Sequence, residues 1–600
     1  MVTTRSRPDD RRFWPLAAVL GVTWLALAAA PAAAQGGPIR LFPDLGGGAP
    51  AEQPMAPPGQ SGAPAIQSET GTSPPRGFQV EGLAPPGIDA IGLAGPAEGG
   101  FDAGLYSGSN GDLVLALLTD LPVVSANPPL RALTGRLLMT GAPLAGLSEP
   151  GGVLGARVER LLAMGDLDGA SALLDRVPAT GSDSQLARLA VEAPLLTGDD
   201  DAACRRAADI APTSDAPFWA KVNVYCRLAE GDRDGARLGL SLLREAGQTD
   251  DAAFFSLAEM IADGDAGTTP TVPVAPSALQ IALLRLAGLA LPPAALRSGS
   301  PMLLAAAMRD PRLVAADRLA VAEQAFLAGA LSAEGLAARY GEQSFDSNED
   351  ALRQIETAWS PATRALAYQA VLEQSSPATR AELLDALWRG ARGSERFLVA
   401  EVFATQFATL PVERSLVWAA PGSARALLAA ERPIPASRWF SLLSADAGND
   451  ERARNGVVRL VPLFALAGFG GSDAVPEFDQ AAMTGWRLGT PDADAKAGHL
   501  LALLDGIGAP VPESAWHELV VVPAQAPTPA PPVAFWHGLD AAAAQGRLGE
   551  TVLFALHMLG GQPEAAHPEA LAASLRALRS VGLNQEARAI AIATALSMGL

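Results

Sequence analysis

Lysine is nearly missing from this chain. Lys221 and Lys496 are the only two in 600 residues, so almost all positive charge is arginine. Neither follows a glycine, which removes a P-loop, and neither has a serine three residues before it, which removes the serine–lysine motif of penicillin-binding enzymes. Cysteine occurs twice, and no histidine precedes His499, so no cysteine has a histidine near it in sequence for a catalytic pair. No Gly-x-Ser-x-Gly elbow is present; Gly146-Leu147-Ser148-Glu149-Pro150 fails at the last position. Aromatics make up only 5%, while alanine and leucine dominate, which favours close-packed helices over strands. The formal charge is −20 and no basic stripe runs along the sequence, which argues against nucleic acid as a partner.

Long apolar runs are confined to the N-terminus. Arg5, Arg7, Arg11 and Arg12 precede an apolar stretch from Phe13 to Ala30, and Ala32-Ala33-Ala34 stand before Gln35. This is the layout of an export signal over residues 1–34, cleaved after Ala34; an uncleaved membrane anchor is the competing reading. Cleavage removes four arginines and two aspartates and leaves a charge of −22. With no later spanning stretch, the mature chain is expected in the periplasm or secreted, without stable membrane insertion. Residues 35–100 are rich in proline, glycine and alanine, as in Gly46-Gly47-Gly48-Ala49-Pro50, and carry too little apolar surface to offset their ordering entropy. A disordered tether is expected there. Near its end Phe78, Val80, Leu83, Ile88, Ile91 and Leu93 restore apolar content that can dock onto the body.

Six hundred residues exceed one hydrophobic core, so an extended array or several domains are expected. A fixed period supplies the array. Gly165-Asp166, Gly198-Asp199, Gly231-Asp232 and Gly264-Asp265 recur every 33 residues, and the first three are followed by Ala170, Ala203 and Ala236. Apolar residues around these turns fall at helical spacing: Leu154, Val158, Leu161 and Leu162 before Gly165, then Leu173, Leu174 and Val177 up to Pro178. In each unit the glycine takes the left-handed conformation that ends one helix and the aspartate starts the next. The alanine lets the two backbones approach.

This Gly-Asp-x-x-x-Ala turn resembles the tetratricopeptide repeat over roughly residues 150–265. The resemblance implies stacked helical hairpins with a face for protein or peptide binding. The chain departs from the family pattern in several places. Trp219 echoes the early aromatic one position out of register, valines (Val158, Val191, Val224) replace the expected small residue, and Pro194 sits inside a first helix. No position matches the family's peptide-clamp pattern, so no clamp residue is carried over.

The period breaks at Thr269-Pro270-Thr271-Val272-Pro273, yet helix starts continue. Ser360-Pro361-Ala362-Thr363-Arg364-Ala365 recurs as Ser376-Pro377-Ala378-Thr379-Arg380-Ala381, and Ser332 reads as a further cap. A second linker, Pro523 to Pro532, sets off the last hairpins, where Gly582 and Ala587 repeat the glycine-to-alanine offset. The expected organisation is all-α. After the signal and tether come tetratricopeptide-like repeats over 101–268, an α-helical solenoid continuation over 277–522 and C-terminal hairpins over 533–600.

Cys204 and Cys226 fall on neighbouring helices of adjacent units, and in an exported chain an even count points to a disulfide; two buried thiols are the alternative. His499, His517, His537, His557 and His567 offer no three- or four-residue helical pair, so no metal site is expected, and no cofactor motif appears. Glu513-Ser514 matches the catalytic dipeptide of lytic transglycosylases, some of which carry a long helical superhelix. The surrounding Val511-Pro512-Glu513-Ser514-Ala515-Trp516 lacks that family's other motifs and also reads as a plain helix start. The expected function is an exported helical-repeat scaffold that binds an envelope protein or peptide without catalysis. A cell-wall enzyme using Glu513 and a passive periplasmic spacer are the alternatives.

Overall fold

The computed structural model describes residues 87–177, 185–210, 217–264, 270, 272–345, 350–472, 475–521 and 528–600. The expected signal, the tether up to residue 86, the stop at Pro178, most of the break after Gly264 and linker residues 523–527 lie outside them. Among the described residues there are 29 α-helices and no β-strand. The first group is α1 (Gly111–Thr119), α2 (Pro128–Met139), α3 (Gly152–Met164), α4 (Leu167–Asp175), α5 (Gln185–Thr197), α6 (Asp200–Ile210), α7 (Pro217–Ala229), α8 (Arg233–Glu245) and α9 (Ala252–Asp263). Next come α10 (Ala278–Leu286), α11 (Pro293–Arg297), α12 (Pro301–Arg309), α13 (Ala315–Ala328), α14 (Ala333–Gly341), α15 (Ala351–Thr357), α16 (Pro361–Glu373), α17 (Pro377–Gly390), α18 (Glu395–Val402) and α19 (Ala404–Ala408). The last group is α20 (Ala420–Ala429), α21 (Pro433–Asp446), α22 (Glu451–Leu466), α23 (Gln480–Gly489), α24 (Ala493–Gly506), α25 (Glu513–Val521), α26 (Val533–Ala544), α27 (Leu548–Leu559), α28 (Pro568–Ser580) and α29 (Asn584–Ser597).

The Gly-Asp turns show why the helices break where they do. Gly165 stands at φ 81°, its N–H and that of Asp166 close the last turn of α3 on Leu162 and Leu161, and the Asp166 carboxylate accepts the Gly169 N–H at 2.9 Å. Gly231-Asp232 repeats this between α7 and α8, with Asp232 accepting from Gly235 at 2.9 Å. Gly198 and Gly264 also hold left-handed φ. A side chain at Gly165 would also meet the Pro301 carbonyl at 2.7 Å, so this turn is packed as well as bent. Ala170, Ala203 and Ala236 are all fully buried at the close approach. Pro194 lacks the N–H that the Ala190 carbonyl would receive within α5, and Arg206 of α6 donates to that carbonyl at 2.8 Å instead. Ser277, Ser332, Ser360 and Ser376 each cap a helix by accepting a backbone N–H from the first turn.

Residues 87–100, placed by the sequence at the end of the tether, pack on the helices. Asp89 accepts the Gly151 and Leu154 N–H groups at the start of α3, at 2.7 and 2.9 Å. Arg157 is fully buried and donates to the carbonyls of Leu138 and Ile91, both at 2.7 Å. Gly92 and Gly141 cross so closely that a side chain on either would run into the backbone of the other.

The first helices pack against the last. α1 touches α27, and α2 lies on α29, which also packs on α20, α22, α24 and α28. Helix α29 is buried at Ala587 and at every position from Ile590 to Leu596, as expected of a helix enclosed by others. Polar contacts fix the register. The Asn127 amide donates to the Thr594 hydroxyl at 3.3 Å, both residues being buried; Arg136 pairs with Glu586 at 2.6 Å, and the Gly549 N–H donates to the Leu105 carbonyl at 2.8 Å.

Near this seam α18 carries Glu401, half-buried, with one carboxylate oxygen lacking a hydrogen-bond partner among the described residues. Burial, with Glu431 and Glu334 nearby, pushes its carboxyl up to about 7 despite the opposing charge of Arg131. A folded-state pKa raised above the unfolded value gives stability that is present below about pH 4.5 and lost as pH rises to about 7. Replacing Glu401 by glutamine should therefore stabilise the protein at pH 8 by roughly 1–3 kcal/mol and change little at pH 4.5. Urea unfolding at the two pH values measures this; equal effects at both would contradict it.

Candidate functional site

Helices α6 to α9 pack one on the next, and their outer surface carries three grooves. The first begins with the cysteines. Cys204 near the start of α6 and Cys226 in α7 form a disulfide, their Cα atoms 5.6 Å apart. The pair expected from the sequence is joined, and the 22-residue separation it closes stabilises the fold by about 3 kcal/mol in a chain-entropy account. Beside it lies a groove of about 530 Å³, floored by Trp219 and edged by Asp200, Asp201, Arg205 and Glu230. Trp219 is nearly covered by its neighbours and stacks edge-on against Phe218 at 5.0 Å.

The second groove, about 430 Å³, lies between α7 and α8. Leu238 and Leu242, one turn apart on α8, rise over its floor at Val224 with 61% and 55% of their surfaces exposed. Gly239 sits between them because a side chain there would strike Val224 at 2.6 Å. Charged groups nearby are already paired, Arg227 with Asp232 at 2.9 Å and Arg237 with Asp234 at 2.8 Å. The inner stripe of α8, Ala236, Leu240 and Leu243, does not include this second pair of leucines. The i, i+4 spacing of Leu238 and Leu242 on the opposite face is the sequence signal for it. A third groove of about 500 Å³ is lined by Phe255, Met260 and Arg244, with the Arg244 guanidinium 5.1 Å above the Phe255 ring.

The four turn glycines do not converge on a site; each sits at the end of its own helix, and Gly198 faces Arg285 of α10, which pairs with Asp200 at 2.6 Å. Glu513 is the first residue of α25, with its side chain 89% exposed; its one ion-pair partner among the described residues is His517 at 3.7 Å. It lacks the apolar enclosure that keeps a catalytic carboxyl protonated. His499 and His557 turn inward and bond to the carbonyls of Ala566 and Leu117, and burial lowers the pKa of both. Among the described residues no three His, Cys, Asp or Glu side chains stand close enough to hold a metal ion, and no helix is long and apolar enough to cross a membrane.

These features define an all-helical protein with a disulfide-braced, grooved surface. No protein-family model, curated protein or solved structure matches the chain. The disulfide carries a direct test. Cys204→Ser with Cys226→Ser should lower the unfolding free energy by about 3 kcal/mol, and a reductant should do the same to the wild type and nothing more to the variant. Thermal melts with and without dithiothreitol measure it; a reductant-insensitive wild type would contradict the bridge.

Proposed function

We propose that this protein is an exported helical-repeat scaffold that binds another protein or an extended peptide in the bacterial cell envelope. In this reading the 33-residue unit stacks hairpins in the manner of tetratricopeptide repeats, and the helices after α9 continue the solenoid. The observation that carries it is the pair Leu238 and Leu242, apolar and open to solvent above a groove floored by Val224. Apolar side chains cost free energy in water, and a groove with an apolar floor and paired charges on its rim suits a peptide backbone with one or two apolar anchors. Export is supported by the charged-apolar-small layout of residues 1–34 and is compatible with the disulfide. The lytic-transglycosylase reading rests on Glu513, whose carboxylate is open to water, and the spacer reading leaves the exposed leucines without a role.

A photo-crosslinking residue at Leu242 of the full chain, expressed in its bacterial envelope, should give discrete adducts. The same residue at Leu488, also exposed but distant in sequence on α23, should not. Leu238→Glu should remove the Leu242 adducts while moving stability by less than about 0.5 kcal/mol, since the side chain is on the surface. Identical adducts at both positions, or none at Leu242, would contradict the proposal.

A further inference from the structure

The chain carries 64 acidic and 44 basic residues, and many of its arginines pair with a carboxylate. One group does not. Helices α18, α20, α22 and α24 pack in that order, and each contributes one cation: Arg396, Arg425, Arg459 and Lys496. Arg392 precedes the first of them. All five side chains donate to backbone carbonyls and none forms an ion pair among the described residues, although the Arg392 backbone N–H donates to the Glu395 carboxylate at 3.2 Å. Arg396 donates to Leu596 at 3.1 Å, Arg425 to Arg459 at 3.4 Å, Lys496 to Gly599 at 3.3 Å, Arg392 to Ala391 at 3.0 Å, and Arg459 to Gly489.

The cations are close together. The Arg396 guanidinium and the Lys496 ammonium lie 3.7 and 3.5 Å from the same point, where a side chain at Gly599 would begin. Arg425 feels both Arg459 and Arg396, and burial together with those charges pushes it down to about 10. Arg396 is lowered by burial and by Arg392, and Lys496 by burial and Arg396, with Asp492 the one acidic group opposing. Arg396, Arg425 and Lys496 are half-buried, while Arg392 and Arg459 are open to solvent. Like charges gathered with few opposing acids destabilise a fold, and helix-end capping accounts for Arg396 and Lys496 only at the end of α29.

We infer that this row of cations is a binding site for a multiply charged phosphoryl anion, entering from the Arg392 and Arg459 side and held by Arg396, Arg425 and Lys496. Guanidinium forks match phosphate oxygens in pairs, and a lysine beside them adds a point charge. The same chemistry is offered by a free polyphosphate or by the headgroup of an acidic phospholipid. The test has one arm for each source.

Pyrophosphate titrated into the full chain at low ionic strength should bind with a sub-millimolar dissociation constant and raise Tm. Vesicles of phosphatidylglycerol in phosphatidylcholine, compared with phosphatidylcholine alone, form the second arm. Binding in either arm that weakens at least tenfold in Arg425→Gln with Arg459→Gln supports the site and identifies its source. Without ligand that variant should melt no lower than the wild type, because it relieves like-charge repulsion; arginines serving only as carbonyl caps would give a lower Tm. No binding in either arm, binding unchanged in the variant, or an equal Tm rise from sodium chloride at matched ionic strength would overturn the inference.

Discussion

Enclosing α29 is the constraint on which much of the helical body depends. Its last two turns, Ile590 to Leu596, are buried on every side and have no face to spare for water, so each neighbour there must present a complementary surface. For α29 those neighbours are α2 from the start of the chain, α20, α22 and α24 from its middle, and α28 beside it. Its alanines let these helices approach closely, while Ile590, Ile592 and Leu596 fill the gaps. The Asn127–Thr594 bond and the Arg136–Glu586 pair then select one register from several that apolar packing alone would accept. Residues hundreds apart in sequence thus share one core.

Helices α6 to α9 follow a different logic. They pack on neighbours in sequence, with a glycine turn and an aspartate cap between α7 and α8 and between α8 and α9, and a disulfide ties α6 to α7. Local bracing of this kind leaves their outer face free of the packing demands that shape α29. That freedom is what allows Leu238 and Leu242 to stay exposed and grooves to persist beside them. In the proposed role the covalent brace serves the grooves, since a surface that presents side chains to a partner gains from a backbone that does not shift.

Features set by neighbours in sequence are legible in the residues alone. The Gly-Asp turns, the serine caps at Ser332, Ser360 and Ser376, the buried alanines and the Cys204–Cys226 pair all follow from short-range chemistry. What the sequence conceals depends on long-range packing. Nothing in Asn584–Ser597 marks it as a hub, because an alanine-rich amphipathic stretch reads the same whether one face or all of them are covered. The row Arg396, Arg425, Arg459 and Lys496 is invisible for a related reason: tens of residues separate each cation from the next, so no basic stripe appears until the helices stack. The docking of residues 87–100 is hidden by their proline and glycine content, although Ile88, Ile91 and Leu93 hint at it.

Hydrogen exchange on Ala591→Glu tests the central place of α29 most directly, because it puts a charge where Ala591 is fully buried. Amide protection should be lost in α2, α20, α22 and α24 as well as in α28, while α6, α7 and α8 keep theirs. Loss confined to α28 and α29 would contradict it.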